Sequence, residues 1–403
     1  MPFFNPSSWT AQVKPRGGEL PRCGECGLAR TCLSPRMAPT GKGKRKILFV
    51  AEAPGETEDR RGVQLVGKAG KLLREVIQDL GFDLEDCWKT NCVICRPPRN
   101  QIQPSHIQAC RPNLLRTLAE LKPVVVVLLG TSAVNSLLSP EWNRSLGPLG
   151  KWLGWTIPSP TYQAWICPTY HPSYIVRSDE DPVLKRILKE HLARAFQLER
   201  AGRPNPVPLR ALSEQIEIIK DSRHARSRLR SLASSKGLLA FDYETTGLKP
   251  EDARHRILSS SFCHEGKTFA CLIDERAHKP LRRILQNEKL LKIASNIKFE
   301  ERWSMAKVGC KVEGWHWDTM LATHVLNNYP GICSIKFQAF VRLGISDYDK
   351  RIGSYMQATG GNGFNRLAQA DPDELLLYNG LDSLIEYQVA LQQMEEMNAL
   401  ETS

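Results

Sequence analysis

Six consecutive aliphatic residues, Val124 to Leu129 in "KPVVVVLLGTSAVNSLL", most constrain what this chain can fold into. The run is far shorter than the roughly 18 residues of a membrane span. Its β-branched valines fit a strand, and its lack of alternation fits a strand buried on both faces. Gly130 then turns the chain into a helical pattern. "RKILFVAEAPG" followed by "KAGKLLREVIQDLGF" repeats the plan of strand, loop and helix, and "WICPTYHPS" is a further short strand ending at a proline turn. Such alternation predicts a parallel α/β/α sheet with ligands at the carboxyl ends of its strands. Glu52, Asn91, Gly130 and His171 all fall where those strands would end.

A length of 403 residues predicts two or three domains. The boundary shows in "HLARAFQLERAGRPNPVPLRALS", where a helical pattern gives way to three prolines and a glycine. A linker is therefore expected at 201–211, between domains 1–200 and 212–403. Charge follows the same division. Residues 1–206 hold 29 Lys and Arg against 18 Asp and Glu, and the remainder holds 26 against 25, so nearly all of the net +12 lies in the first half. A basic domain attracts polyanions, nucleic acid among them. The N-terminus "MPFFNPSSWTAQVKPRGG" lacks the charged-then-apolar order of a signal peptide, which predicts a cytoplasmic protein with no membrane partner. There, the twelve cysteines suggest metal or cluster ligation and buried thiols rather than disulfides.

Cys23 and Cys26 form a C-x-x-C in a Gly-rich loop; Cys95 and Cys110 form a wider pair beside "RPPRN" and "RPN". Four thiolates from two loops suit zinc or an iron–sulfur cluster. Cys32, Cys87 and Cys92 compete for the same role, so spacing alone leaves the ligand set open.

Five blocks within residues 18–200 resemble the family 4, iron–sulfur uracil-DNA glycosylases: "CGECGLARTC", "AEAPGETEDRRGVQLVGKAGKLL", "TNCVICRPPRN" with the later Cys110, "KPVVVVLLGTSAVNSLL" and "PTYHPSYIVR". The resemblance implies that family's α/β/α fold and a 4Fe–4S cluster of mainly structural role on Cys23, Cys26, Cys95 and Cys110. It implies that His171 stabilises charge on the departing base, that Asn91 reads the base edge, and that Glu52 positions water and supports the cationic sugar. Gly55, Gly67 and Gly70 would admit backbone close to phosphate or base, and Arg177 would hold a phosphate. The chain departs from the family in "QLVG", where Leu65 stands at the place of the phenylalanine that stacks on uracil. Leucine covers a base without ring stacking, worth about 1–3 kcal/mol per base. Uracil, a modified base, or DNA binding without cleavage are the readings this leaves.

In the second half, "GLLAFDYETTGL" is an apolar strand carrying Asp242 and Glu244 at i and i+2, on one face. Facing acids repel unless a cation lies between them. "ASNIKFEERW" supplies Glu300, and "LLLYNGLDSLIEYQVALQQM" supplies Tyr378 and Asp382 on one helical face. From about residue 212 onward this resembles the DEDD-type 3′–5′ exonucleases, in the tyrosine subclass of family A polymerase proofreading domains, with a ribonuclease H-like α/β fold. "NIKFE" has Glu300 where that family has aspartate, with Glu301 the weaker substitute. Asp318 reads as a helix cap before a ligand, and Trp303 as core. The resemblance implies two Mg²⁺ or Mn²⁺ ions on Asp242, Glu244, Glu300 and Asp382, with Tyr378 orienting water. The whole predicts a DNA repair enzyme that combines base excision with 3′–5′ hydrolysis of single strands or 3′ ends. Its alternatives are a nuclease tethered by a DNA-binding domain, and an accessory nuclease of a separate DNA polymerase.

Overall fold

The computed structural model describes residues 22–358 and 363–401, so the N-terminal segment read above for a leader lies outside the described residues. The chain divides between Pro206 and Val207 into two units.

The first unit is built on five strands: β1 (Ile47–Ala51), β2 (Trp88–Asn91), β3 (Val125–Leu129), β4 (Ile157–Ser159) and β5 (Ala164–Thr169). Their order is β2-β1-β3-β5-β4. Every residue of β1 and β3 is buried, as the continuous apolar runs require. Helices α1 (Glu56–Arg61), α2 (Lys68–Gln78), α3 (Pro104–Leu121), α4 (Thr131–Trp142), α5 (Pro172–Arg177) and α6 (Pro182–Ala201) complete the unit. Leu73 and Ile77 of α2 and Leu192 and Phe196 of α6 pack with Phe49, Val125 and Val127 of the sheet. Each such side chain stabilises the fold by roughly 1.5–3 kcal/mol when fully buried. β1, β2, β3 and β5 are mutually parallel, as expected. β4 runs antiparallel to β5, because the connection from Ser159 to Ala164 is a turn too short for a crossover. The parallel strands deliver Glu52, Asn91, Gly130 and His171 to one edge of the sheet.

The second unit holds a six-stranded mixed sheet of β6 (Ile216–Ile219), β7 (Gly237–Thr245), β8 (Ile257–His264), β9 (Lys267–Leu272), β10 (Leu290–Ala294) and β11 (Trp315–Asp318). Their order is β11-β10-β7-β8-β9-β6, with β7, β8 and β9 an antiparallel meander and β10 parallel to β7. Around it lie α7 (Ser222–Leu232), α8 (His278–Leu285), α9 (Ile297–Trp303), α10 (Thr319–Leu326), α11 (Ile335–Leu343) and α12 (Pro372–Glu401). Alternation along β7 separates two cores. Phe241 and Tyr243 join Leu229 of α7, Leu281 of α8 and the fully buried Trp303. Ala240 joins Leu381, Leu384 and Ile385 of α12 on the other face. Asp242 and Glu244 share that second face with Ala240, so they meet α12.

Candidate functional site

In the first unit, a cavity of about 330 Å³ opens at the carboxyl edge of the sheet, lined by Glu52, Asn91, Leu65, Gly55, His171 and Arg177 among others. Glu52 leaves the end of β1 and its Oε1 accepts the Ser132 N–H at 3.0 Å, in the first turn of α4. That helix end favours negative charge. Gly130 makes the arrangement possible: at φ +89° it carries no side chain, and a Cβ there would come within 3.0 Å of both Glu52 Oε1 and His171 Cβ.

His171 caps α5, its Nδ1 accepting the Ser173 N–H at 3.1 Å with Ser173 Oγ at 2.7 Å. A ring nitrogen that accepts a backbone N–H is unprotonated, which assigns the proton to Nε2. Burial pushes the histidine pKa down against the opposing pull of Glu52, so the ring is a neutral donor. Asn91, at the end of β2, is 3% exposed, and its Nδ2 has no hydrogen-bond partner. A buried amide donor without an acceptor is costly, and this one belongs to a residue lining the cavity. Arg177, at the end of α5, has no ion-pair partner among the described residues. Leu65 forms apolar wall.

Gly67 and Gly70 have close neighbours within the protein. The Gly67 N–H donates to Glu58 Oε1 at 2.7 Å, as does the Val66 N–H at 3.1 Å. Gly70 serves packing, since a Cβ there would fall 1.8 Å from the Leu65 carbonyl oxygen. Neither lines the cavity.

The structure also sorts the thiols. Arg36 joins Cys95 to Cys23: its N–H donates to Cys95 Sγ and its Nε to Cys23 Sγ, both at 3.2 Å. Cys110 Sγ accepts the Ile94 N–H at 3.4 Å, and its charge interacts with those of Cys26 and Cys23. Cys92 instead donates to the Glu52 carbonyl at 3.0 Å, and Cys87 lies among Arg45, Asp86 and Glu199. Cys32 remains beside Cys95. Burial pushes the Cys95 and Cys110 thiols up to about 12 and about 11. Thiolates there need a bound cation, and N–H donors aimed at sulfur suit one that leaves negative charge on the ligands.

In the second unit, Asp242, Glu244 and Asp382 each offer an oxygen, all within 4.8 Å of one another. Asn379 Nδ2 donates to Asp242 Oδ2 at 2.7 Å, and the Tyr348 hydroxyl to Asp382 Oδ1 at 2.5 Å. Lys336 Nζ donates to the Tyr378 hydroxyl at 3.1 Å and pairs with Asp349 at 3.3 Å. Glu300, at 2% exposure on α9, acts electrostatically on Asp242, and its Oε2 is unpartnered. Asp318 caps α10 through the Met320 and Leu321 N–H groups. Glu301 accepts from the Val312 N–H and the Trp315 indole instead of joining the cluster.

Burial, then mutual repulsion, holds the Asp242, Glu244 and Glu300 carboxyls well above their usual range. An acid whose pKa is raised by folding contributes stability that is present below the unfolded value, about pH 4, and is lost as pH rises through the folded value. In EDTA the second unit is therefore expected to melt at lower temperature at pH ~8 than at pH ~5, with Mn²⁺ reversing the loss. Scanning calorimetry checks this; melting independent of both pH and Mn²⁺ contradicts it.

Residues 38–197 match the uracil DNA glycosylase superfamily, and residues 216–393 match a 3′-5′ exonuclease family. The type-4 uracil-DNA glycosylase of Saccharolobus solfataricus is 35% identical over 178 residues, which cover 43% of this chain and 79% of that protein. The chain belongs to the type-4 uracil-DNA glycosylase family. The type-4 enzyme of Pyrobaculum aerophilum is 33% identical over 183 residues, 44% of this chain and 89% of its own. Brucella melitensis NrnC aligns at 16% identity and a TM-score of 0.34, covering 46% of this chain and 82% of that one. Escherichia coli RNase D aligns at 14% and 0.35, covering 46% and 45%. A glycosylase-type domain is thus followed by a 3′-5′ exonuclease domain. Sequence reading had missed Arg36 and Ser132 in the glycosylase domain, and Lys336, Tyr348 and Asn379 in the exonuclease domain. Only Asn379 carried a signal, lying inside "YNGLD".

Proposed function

We propose that this protein removes a base from DNA with its first unit and hydrolyses DNA from 3′ ends with its second, in cytoplasmic DNA repair. The observation that carries the first activity is the unpartnered Asn91 amide lining the same cavity as His171 and Glu52. A flipped pyrimidine brings the acceptor that this amide lacks. Asn91 Nδ2 donates to one base carbonyl while its Oδ1 accepts the ring N–H. His171 Nε2–H donates to the carbonyl on which charge grows as the glycosidic bond breaks. The bonding pair leaves with the base, water adds to the sugar carbon and its released proton neutralises the base anion, while Glu52 orients that water and faces the cationic sugar. Arg177 fits a neighbouring phosphate.

The carboxylates of the second unit fit divalent cations, because three converge and a fourth has a buried, unpartnered oxygen. Asp242, Glu244, Asp382 and Glu300 would hold two Mg²⁺ or Mn²⁺ ions, which when bound generate hydroxide and neutralise the leaving 3′ oxygen. Tyr378, held by Lys336, orients the water that attacks phosphorus. The P–O3′ bond breaks, releasing a nucleoside 5′-monophosphate and a new 3′ hydroxyl. Single-stranded DNA fits both steps, since neither an extruded base nor a frayed 3′ end has a pairing partner to leave.

Cys23, Cys26, Cys95 and Cys110 fit a 4Fe–4S cluster, whose role here is to tie the 22–36 loops to α3. The purified protein is expected to be brown, with broad absorption near ~400 nm. Cys95→Ala is expected to bleach it and destabilise the first unit, whereas Cys263→Ala, in the second unit, leaves the colour unchanged. Zinc without iron in anaerobically purified protein rejects the cluster.

Leu65 favours a second reading, in which the base is not uracil or the first unit binds DNA without cleaving it. Single-stranded oligonucleotides, each carrying one altered base, decide among these. Abasic sites on any of them support excision, and tight binding without release on all of them leaves a DNA-binding domain that tethers the nuclease.

A further inference from the structure

Glu386 lies one helical turn beyond Asp382 on α12, on the face that meets the sheet. It is 3% exposed, and its Oε2 has no hydrogen-bond partner. The charges of Asp242, Glu300 and Asp382 act on its carboxyl, which also takes a backbone hydrogen bond from Ser295. Glu300 has the same character, at 2% exposure with an unpartnered Oε2. Five buried or half-buried carboxyl groups therefore act on one another, and two of them carry a buried oxygen with no hydrogen-bond partner. The cation whose charge reaches this group, Lys336, is already paired with Asp349.

A neutral carboxyl buried for packing alone would need a partner for its second oxygen. Neither Glu300 nor Glu386 has one, although serine and asparagine side chains satisfy one another nearby, as in Ser259 with Asn379 at 2.9 Å. The compact trio of Asp242, Glu244 and Asp382 suits one small cation. Glu300 and Glu386, on α9 and α12, are left with oxygens for another. Two divalent cations bring four positive charges to five carboxylates, which removes most of the repulsion. A longer side chain at position 300 and an acid at position 386 are then two halves of one arrangement.

We propose that Glu386 is a metal ligand of this unit and that, with Glu300, it holds a second divalent cation beside the one taken by Asp242, Glu244 and Asp382. The proposal rests on the exonuclease reading and adds a residue to it.

Titration of the full-length protein, freed of divalent cations and keeping its cluster, with MnCl₂ and followed by calorimetry, tests it. The wild type is expected to take up two ions in the second unit, absent from an Asp242→Ala, Glu386→Gln double variant. Glu386→Gln is expected to keep the first ion and bind the other about 10–100-fold more weakly. Glu386→Asp, which keeps the charge on a shorter arm, is expected to fall between the two and stands in if the glutamine variant does not fold. Circular dichroism verifies folding. Two ions bound with wild-type affinity by either variant overturn the assignment of Glu386 and leave the nuclease reading intact. A wild type that binds no Mn²⁺ and degrades no DNA overturns both.

Discussion

Asp242→Ala is expected to slow 3′-end hydrolysis by at least ~100-fold, because a cation's stabilisation of transition-state charge is worth several kcal/mol. Asp242 is one of three carboxylates with oxygens inside 4.8 Å, and it is the one that Asn379 holds directly. Its loss leaves Glu244 and Asp382 to bind a cation alone, and leaves the Asn379 amide without its acceptor. The helix that carries Asn379 stays in place, since Ser259 and Ser261 also bond to that residue. The variant is therefore expected to fold and to bind DNA. A 5′-labelled single strand followed on a gel supplies the measurement, with His171→Ala as the control that retains digestion. Complete digestion in EDTA, or by the Asp242 variant at the wild-type rate, would falsify the metal-dependent mechanism.

The parts of this molecule that were legible in its sequence are those set by short-range pattern. The valine run and its glycine turn announced β3 and α4, and strand alternation placed Asp242 and Glu244 on one face. The antiparallel β4 was not legible, because three residues beside a turn carry no periodicity of their own. Helical spacing found Tyr378 and Asp382. The same spacing reaches Glu386, but an acid in a long charged helix reads as a solvated face until burial is known. Tyr348 and Lys336 were beyond reach: they approach Asp382 and Tyr378 across 34 and 42 residues of chain, and nothing local marks them. Gly67 and Gly70 illustrate the converse. A glycine shows that something comes close without showing what, and here a carboxylate and a carbonyl of the protein itself take the space.

The histidine of "PTYHPSYIVR" tests the glycosylase domain most directly. Ser173 holds Nδ1 and so fixes the proton on Nε2, and burial keeps the ring neutral. A neutral donor gains most where the base carbonyl becomes an anion, in the transition state, and little in the bound ground state. His171→Ala is therefore expected to lose roughly 10²–10³ in the rate of base release. DNA binding is expected to persist, since phosphate contacts are spread over a basic domain and position the strand independently of the base. Single-turnover release from a uracil oligonucleotide, read after alkaline cleavage of the abasic site, gives the rate. Leu65 bears on the same experiment. It lines the cavity at φ +53°, in a backbone shape that the close approach of Gly70 fixes, so a larger side chain there is directed by the same backbone. Leu65→Phe is expected to raise the rate on uracil by restoring a ring to stack against. Release by the wild type, lost in His171→Ala and faster in Leu65→Phe, fits one active pocket with a weakened grip. If all three are inert on uracil, uracil is not the substrate, and the unpartnered Asn91 amide must then be matched by a base with a different edge.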